Sequence, residues 1–258
     1  MKKEFTRRDF LVSAGKVMAT GLFLPLGSLA IAQKTSFAQE AAKDIAWEKV
    51  WEGKEWGFVV DTSKCIGCAR CVMACKQENG VPVDKEVYRT WVERYVESAN
   101  GQINVESPQG GLGFEQGDET SEKQFFVPKL CNQCHNAPCT QVCPVGATYK
   151  TGDGVVLVDR KRCVGCRYCI QACPYGARFL HPELKVVDKC TWCYHRVAKG
   201  MKPACVQVCP KGARKFGNLK DPESEVSVSI KKEKVRVLKP DMGTEPHVFY
   251  IDLDEVVK

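Results

Sequence analysis

The apolar residues of this chain fall in short runs, and three of the runs are followed within four residues by a cysteine. Residues 56–61 read Trp-Gly-Phe-Val-Val-Asp, residues 155–159 read Val-Val-Leu-Val-Asp, and residues 185–188 read Lys-Val-Val-Asp. Short runs that are rich in Val and Phe are typical of β-strands. Because the same order of strand and cysteine loop recurs, the chain is predicted to contain duplicated units.

The segments between these runs predict a hairpin and an insertion. Residues 144–159 are predicted to form a strand, a tight turn and a second strand, since Asp153-Gly154 between apolar runs is a hairpin signal. Residues 88–96 alternate between apolar and polar side chains, as a strand does. Residues 98–124 are rich in Gly, Ser, Glu and Gln, which predicts an exposed loop.

The cysteines indicate the chemistry of this chain, because all sixteen fall into four quartets with none left over. The quartets are Cys65, Cys68, Cys71, Cys75; Cys131, Cys134, Cys139, Cys143; Cys163, Cys166, Cys169, Cys173; and Cys190, Cys193, Cys205, Cys209. The first and third have the spacing C-x2-C-x2-C-x3-C, in which three thiolates of one loop bind three corners of a [4Fe–4S] cube. Sixteen thiolates are what four [4Fe–4S] clusters need, so the chain is interpreted as an electron carrier.

The fourth cysteine of each quartet is expected to serve a different cluster from the other three, as it does in two-cluster ferredoxins. We expect the gap of three residues to place this cysteine in a helix, from which it points across the core. Four ligand sets follow from this expectation. Set A is Cys65, Cys68, Cys71 and Cys209; set B is Cys190, Cys193, Cys205 and Cys75; set C is Cys131, Cys134, Cys139 and Cys173; and set D is Cys163, Cys166, Cys169 and Cys143.

The residues after the fourth cysteine also predict a helix. Pro144, Pro174 and Pro210 each follow that cysteine and are followed one residue later by Gly-Ala. The φ angle of Pro suits the first turn of a helix, and small residues let backbone N–H groups approach cluster sulfurs. Lys76 follows Cys75 instead of Pro, so the helix is expected to be less defined there.

Two other roles for the cysteines compete with cluster binding. Structural zinc prefers two C-x2-C pairs separated by a longer loop, and three cysteines within seven residues fit that arrangement poorly. A disulfide framework is typical of small exported domains without a core, and neighbouring C-x2-C thiols are awkward disulfide partners. A zinc-stapled interaction module would be colourless, whereas a cluster protein is brown.

The beginning of the chain predicts a cellular compartment. Residues 6–11 read Thr-Arg-Arg-Asp-Phe-Leu, and a moderately apolar stretch follows over residues 12–32. This pattern predicts a twin-arginine signal peptide over residues 1–38 and a periplasmic location. Export in the folded state suits clusters that are assembled in a reducing cytosol. The alternative, a transmembrane anchor, is disfavoured by the glycines, the proline and the modest length of the stretch.

The net charge of +7 is interpreted as counter-charge for clusters. Residues 1–38 hold six Lys/Arg and two Asp/Glu, so the remainder carries +3. Sixteen thiolates around four oxidised cubes would add about −8. The loaded protein is then mildly acidic, which excludes a nucleic-acid footprint. Cationic side chains near the ligand loops fit this role: Arg70, Arg160, Lys161, Arg162, Arg167 and Arg178.

The predicted fold class is α+β, with two ferredoxin-like two-cluster units, one inserted in the other. Residues 39–124 are expected to hold the first cluster loop of the outer unit and a β insert, residues 125–182 the inner unit, and residues 183–220 the fourth cluster loop. Residues 221–258 are expected to form a C-terminal docking tail. No nucleophile–His–acid grouping, phosphate loop or dinucleotide fingerprint is found, so no substrate chemistry is expected in this chain.

Over residues 55–220 the chain resembles the iron–sulfur electron-transfer subunits of molybdenum enzymes of the dimethyl sulfoxide reductase family. Four quartets are the hallmark of that family, the second being C-x2-C-x4-C-x3-C-P and the fourth C-x2-C-x11-C-x3-C-P, as found here. The leader and the tail, with Pro246-His247-Val248-Phe249-Tyr250, are more similar to tetrathionate reductase iron–sulfur subunits.

The resemblance implies four [4Fe–4S] clusters and two partners. One partner is a catalytic subunit with a molybdopterin guanine dinucleotide cofactor, and the other is an integral-membrane quinol-oxidising subunit. Tetrathionate, thiosulfate, polysulfide, arsenate and sulfoxides remain open as terminal acceptors. The alternatives are an electron-transfer subunit of a hydrogenase or formate dehydrogenase, and a free periplasmic ferredoxin.

Overall fold

The computed structural model describes residues 52–98, 100–114 and 123–257. The predicted twin-arginine signal peptide lies outside the described residues, as does part of the predicted loop at 98–124. In the described ranges, no helix has both the length and the apolar character that crossing a bilayer requires. Small sheets and short helices make up the structure, consistent with the predicted α+β class.

The elements are named here in chain order. The strands are β1 (Trp56–Asp61), β2 (Thr90–Glu97), β3 (Ile103–Glu106), β4 (Lys123–Leu130), β5 (Thr148–Lys150), β6 (Val156–Val158), β7 (Arg178–Leu180), β8 (Val187–Lys189), β9 (Arg214–Asn218), β10 (Val235–Arg236) and β11 (Val248–Ile251). The helices are α1 (Arg70–Asn79), α2 (Pro138–Gln141), α3 (Tyr168–Gln171), α4 (Tyr194–Val197), α5 (Ala204–Gln207) and α6 (Glu225–Lys232). Short 3₁₀ turns occur at Thr62–Lys64, Pro108–Gly111 and Pro240–Met242.

Strand β1 lies inside a four-stranded sheet of order β10-β11-β1-β9. It pairs antiparallel with β9 and parallel with β11, and Phe58, Val59 and Val60 are fully buried. Burial on both faces explains why the run is continuously apolar and does not alternate. The strand predicted at residues 56–61 is therefore confirmed.

The insert forms a second, antiparallel sheet of order β3-β2-β4. Strand β2 agrees with the alternation at residues 88–96, and β2 pairs with β4 from Thr90 opposite Leu130 to Glu97 opposite Lys123. The expected loop at 98–124 is wrong in part, because it contains β3 and the 3₁₀ turn at Pro108–Gly111. Most of β3 is exposed on this edge, so its side chains carry no burial pattern that a sequence could display.

The predicted hairpin at residues 144–159 is confirmed as β5 and β6, with Thr148 opposite Val158. Asp153 in its turn is buried and accepts hydrogen bonds from Trp56 Nε1 at 2.7 Å and from the Tyr194 hydroxyl at 2.9 Å. A second hairpin joins β7 to β8. Asp153 thereby ties the β5–β6 hairpin to strand β1 and to helix α4.

The helix expected after the fourth cysteine is wrong in three quartets. Helices α2, α3 and α5 end before that cysteine, and Pro144, Pro174 and Pro210 lie in turns that lead into strands. The fixed φ angle of Pro suits the second position of a turn as well as the start of a helix. The sequence signal therefore had two structural solutions, and the turn is the one adopted.

The first quartet shows the reverse of what Lys76 led us to expect. Helix α1 has 10 residues, more than any other helix in the described ranges, and it contains both Cys75 and Lys76. A Pro at this position would lack the N–H and break the helix, at a cost of about 3 kcal/mol, whereas Lys lets it continue. The buried Lys76 ammonium donates to the carbonyls of Pro82 and Lys85 at 2.9 and 2.6 Å.

The core contains ligand-loop residues as well as strand residues. Trp192, between two cysteines of the fourth quartet, packs against Phe216 with ring centroids 5.4 Å apart and is almost fully buried. In the predicted docking tail, β11 pairs with β1 and its Tyr250 is fully buried. Part of the tail therefore completes the sheet, and docking stays a prediction for its exposed residues.

Candidate iron–sulfur cluster sites

All sixteen cysteines have free thiols in the structure, as ligation of clusters requires. Only Cys68 and Cys166 are exposed, and the other fourteen are buried or half-buried. Burial raises the pKa of the Cys65 thiol to about 11 and those of Cys134 and Cys190 to about 12. Without iron these thiols are protonated at neutral pH, so ligation must release protons.

The cysteines of sets A and C each surround one cavity. The cysteines of set A line one cavity together with Arg214, and those of set C line another together with Arg178. In each cavity three cysteines come from one quartet and the fourth comes from another. The fold thus brings together residues 65 and 209, and residues 131 and 173, as the predicted exchange requires.

The cysteines of set B are all buried, and the Asn79 side chain contacts two of them. The Asn79 amide donates to Cys75 Sγ at 3.5 Å and to Cys193 Sγ at 3.6 Å. Burial, followed by the nearby thiols of Cys190 and Cys205, raises the pKa of Cys75 well above its ordinary value. Cys75 of the first quartet is therefore close to three cysteines of the fourth.

The cysteines of set D are held separately by their neighbours. The backbone N–H of Thr148 donates to Cys143 Sγ at 3.5 Å, and that of Val187 donates to Cys163 Sγ at 3.4 Å. Although burial raises the pKa of the Cys143 thiol, hydrogen bonds from backbone N–H groups lower it overall. These contacts suit a thiolate ligand at Cys143, and the grouping of the four stays a prediction.

A left-handed residue precedes the second cysteine in all four loops. Gly67 and Gly165 fill this position in the first and third quartets, and a Cβ at Gly67 would lie 2.4 Å from the Phe126 ring. Gln133 and Trp192 fill it in the second and fourth quartets, with φ of 48° and 53°. The four loops therefore contain the same type of backbone turn. Within each loop, this turn directs N–H groups and thiols towards one site.

Four buried polar atoms beside these loops have no hydrogen-bond partner among the described residues: Asn132 Nδ2, Asn132 Oδ1, Trp192 Nε1 and Arg214 Nη1. Three of them are donors. Buried donors are rarely left unpaired in folded proteins. Cluster sulfurs accept hydrogen bonds, so the donor set fits [4Fe–4S] groups bound between the cysteines.

Burial separates the cations near the loops into two groups. Of the six named from the sequence, Arg178 is buried and Arg160 is half-buried in an ion pair with Asp188, whereas the other four are exposed: Arg70, Lys161, Arg162 and Arg167. The sequence analysis missed further buried cations near the loops, namely Arg89, Lys189 and Arg214, and it did not give this role to the buried Lys76. One signal could have found Arg214, because Arg178 and Arg214 both follow the Gly-Ala pair after the fourth cysteine.

Arg89 links the insert to the fourth quartet. It donates to both carboxylate oxygens of Asp188 at 2.8 and 3.0 Å, and to the side-chain oxygen of Asn79 at 2.8 Å. Asn79 in turn contacts the thiols of Cys75 and Cys193. The insert therefore orients the amide that bridges two cysteines of set B.

Comparison with known proteins agrees with this chemistry. Two family models, each described as a 4Fe-4S dicluster domain, match residues 64–147 and 122–219. The chain is 38% identical to the B component of tetrathionate reductase from Salmonella typhimurium, over 97% of this chain and 89% of that protein. It is 45% identical to the B component of tetrathionate reductase from Archaeoglobus fulgidus, over 85% of this chain and 92% of that protein. The B component of polysulfide reductase from Wolinella succinogenes is 38% identical, over 77% and 94%.

Two dicluster domains and sixteen cysteines together give the cofactor content. The chain carries four [4Fe–4S] clusters, with four cysteines available for each.

Proposed function

The chain belongs to the family of iron–sulfur electron-transfer subunits of molybdoenzyme reductase complexes, and from this we propose that it relays electrons between a membrane quinol-oxidising subunit and a periplasmic molybdopterin catalytic subunit. We propose that the complex belongs to the tetrathionate, thiosulfate, polysulfide or arsenate reductase type. The chain itself performs no substrate chemistry. The observation that carries the proposal is that two cavities each gather three cysteines of one quartet and one of another, while Cys68 and Cys166 are exposed.

We propose that sets A, B, C and D are the ligands of the four clusters. The cavities lined by sets A and C, and the Asn79 contacts to set B, support three of the sets. Set D follows by exchange with set C, since Cys173 of the third quartet lies with Cys131, Cys134 and Cys139. Each bound cluster would gain and lose one electron, while the chain fixes its surroundings.

The neighbouring thiols favour the order A–B–C–D. Burial and the nearby Cys71 of set A raise the pKa of Cys205 in set B. Burial and the nearby Cys131 of set C raise the pKa of Cys190 in set B. The Arg178 guanidinium donates to Cys139 Sγ of set C, and also to Thr148, whose N–H donates to Cys143 Sγ of set D. Sets A and D are then the two ends, and they contain the two exposed cysteines.

The nested arrangement of the two ferredoxin-like units is part of the proposal. Strand β1 precedes the first quartet and pairs with β9, which follows the fourth quartet. Hairpin β5–β6 lies between the second and third quartets, as in a two-cluster ferredoxin. The β7–β8 hairpin connects the end of the inner unit to the fourth cluster loop.

A charged substitution at either end of the proposed cluster series, beside set A or set D, should impair the contact with one of the two partners. Ile66 and Val164 follow the first cysteine of their loops and are apolar, and they are 52% and 66% exposed. In the assembled complex, Ile66→Asp should slow one half-reaction about tenfold or more, and Val164→Asp should slow the other, because burying an unpaired carboxylate at a contact is costly. The half-reactions are cluster reduction by quinol and cluster reoxidation through the catalytic subunit, each followed by stopped-flow absorbance.

Val83→Asp is the matched control, since Val83 is an apolar residue that is 56% exposed and lies outside the cysteine loops. It should leave both half-reactions unchanged. If both end variants slowed the same half-reaction, the proposed order would be wrong. A chain that fails to co-purify with a co-expressed molybdopterin subunit would instead favour the free ferredoxin.

We also propose export by the twin-arginine pathway. Replacing Arg7 and Arg8 by Lys should leave the cluster-loaded protein in the cytoplasm, because the paired guanidinium groups are the signal. The measurement is cell fractionation followed by iron analysis of each fraction. Replacing Lys2 and Lys3 by Arg is the control, because it changes the same number of cations outside the motif. Unchanged periplasmic iron in the variant that lacks both arginines would refute this export route.

A further inference from the structure

Besides Arg89, which is paired with the Asp188 carboxylate, and Lys76, which donates to two carbonyls of the insert, three cations are buried along the series of ligand sets. Arg214 is 3% exposed, Lys189 is fully buried, and Arg178 is 4% exposed. A buried cation is costly unless negative charge or hydrogen-bond acceptors surround it. Each of these three lies where two consecutive ligand sets meet, and the contacts of each can be followed separately.

Arg178 lies between sets C and D. Its Nη2 donates to Cys139 Sγ at 2.9 Å, and it lines the cavity of set C. Its Nη1 donates to Thr148 Oγ1 at 3.3 Å, and the Thr148 N–H donates to Cys143 Sγ. The same guanidinium therefore reaches set C directly and set D through one residue.

Arg214 occupies the equivalent place between sets A and B. It lines the cavity of set A, and its Nη2 donates to Thr90 Oγ1 at 2.8 Å. Its Nη1 is one of the buried donors that lack a partner among the described residues. The nearby thiols of Cys71 in set A and Cys205 in set B raise the pKa of Arg214, although burial opposes this. Its charge is thus close to both sets.

Lys189 lies between sets B and C and has a different origin in the sequence. It directly precedes Cys190 of set B, and its ammonium donates to the Cys190 carbonyl at 2.8 Å. The same ammonium donates to the carbonyl of Val156, which lines the cavity of set C. Gln133 spans the same junction, since its amide donates to the Cys190 carbonyl and accepts from the Val156 N–H.

We propose that Arg214, Lys189 and Arg178 are positioning residues that place one buried positive charge at each of the three junctions of the series and raise the reduction potentials of the two clusters on either side. This inference rests on the ligand sets and the order proposed above.

The physical reason is electrostatic. When an electron leaves one cluster and enters the next, negative charge is lost at the first and gained at the second. A cation between them stabilises the reduced form of either, so the transfer does not move the electron away from its counter-charge. In a dry interior the effective dielectric constant is low, so a buried cation acts more strongly than a solvated one. The exposed arginines of the ligand loops are screened by water and lack this influence.

Neutral variants test the proposal through the pattern of potentials. Arg178→Gln should lower the potentials of clusters C and D, Arg214→Gln those of A and B, and Lys189→Gln those of B and C. At a fixed ambient potential, the ratio of reduced to oxidised cluster should fall about tenfold at each affected site, which corresponds to about 59 mV for a one-electron couple. The measurement is an anaerobic redox titration followed by electron paramagnetic resonance, with iron analysis of each sample.

Two controls separate charge from structure. Arg162→Gln removes an exposed cation that lies beside Cys163, and it should leave all four potentials unchanged. Arg178→Lys and Arg214→Lys keep the charge and should keep the potentials near those of the original protein. If a Gln variant fails to load iron, these Lys variants still test the proposal. A shifted reduction potential in a fully loaded Lys variant would overturn the role of charge.

The outcomes also separate this inference from the proposed function. A starting protein with far fewer than about sixteen irons would overturn the ligand sets themselves. A fully loaded protein whose Gln variants keep their potentials, or shift all four equally, would overturn the junction charges alone. Shifts confined to the two predicted clusters in each variant would support them.

Discussion

Removal of iron from the purified protein is expected to unfold it. Cysteines of the ligand sets are part of the main core, where Cys71, Cys131, Cys190 and Cys205 pack with Phe58 and Trp192. Without clusters, the cavities of sets A and C are left lined by cysteines without a metal and by the buried Arg178 and Arg214. A structural zinc site contributes about 10–16 kcal/mol of apparent binding free energy, and a whole domain is stable by only about 5–15 kcal/mol. The loss of four clusters therefore exceeds the stability that the remaining contacts supply.

The measurement is circular dichroism during anaerobic treatment with an iron chelator. The near-ultraviolet signal of the packed aromatic residues, such as Trp192 and Phe216, should disappear together with the brown absorbance. A chelator saturated with iron beforehand is the control and should leave both signals intact. An iron-free protein that kept its near-ultraviolet signal and its urea midpoint would show that the core does not depend on the clusters.

Pairs of alanine substitutions are expected to reveal which cysteines share a cluster. Cys143→Ala and Cys166→Ala lie in different quartets but in the same set, so the double variant should damage one cluster. Cys139→Ala and Cys143→Ala lie in the same quartet but in different sets, so that double variant should damage two. The reason is that Cys139 lines the set C cavity together with Cys173 of the third quartet. Cys143 does not line that cavity, and its thiol instead accepts a hydrogen bond from a backbone N–H group.

The two double variants are matched, because each removes two thiols and both contain Cys143→Ala. Iron analysis should show a loss of up to about four irons in the first and up to about eight in the second, by four irons per cubane. Electron paramagnetic resonance counts the altered clusters independently, including any three-iron product. The opposite result, with one damaged cluster in the same-quartet variant, would mean that each quartet closes on its own cluster.

Predictions that rest on local signals were the most reliable. Ligand spacing is a property of a few consecutive residues, so the quartets identified the cofactor without knowledge of the fold. The run at residues 56–61 and the Asp153-Gly154 turn also act locally, and both elements were found where expected. Pro144 and its two counterparts misled the helix prediction because one φ angle serves two structures.

Predictions that depend on tertiary packing were weaker. Nothing in the residue type distinguishes the buried Arg178 from the exposed Arg162, because burial is decided by elements distant in the chain. Lys189 lies beside a cysteine as several exposed cations do, and only the Val156 carbonyl across the fold explains its position. Strand β3 was missed for a similar reason, since its pairing partner and not its own side chains makes it a strand.

The pairing of β1 with β9 and β11 determines when the protein can fold during its synthesis. Strand β1 is among the first described elements to leave the ribosome, but its neighbours are residues 214–218 and 248–251. At about 5–20 residues per second, the ribosome needs on the order of 10–40 s to make the intervening chain. Until residues 214–218 have been made, the apolar β1 lacks both of its neighbouring strands. The four-stranded sheet can therefore close only after residues 248–251 have been synthesised.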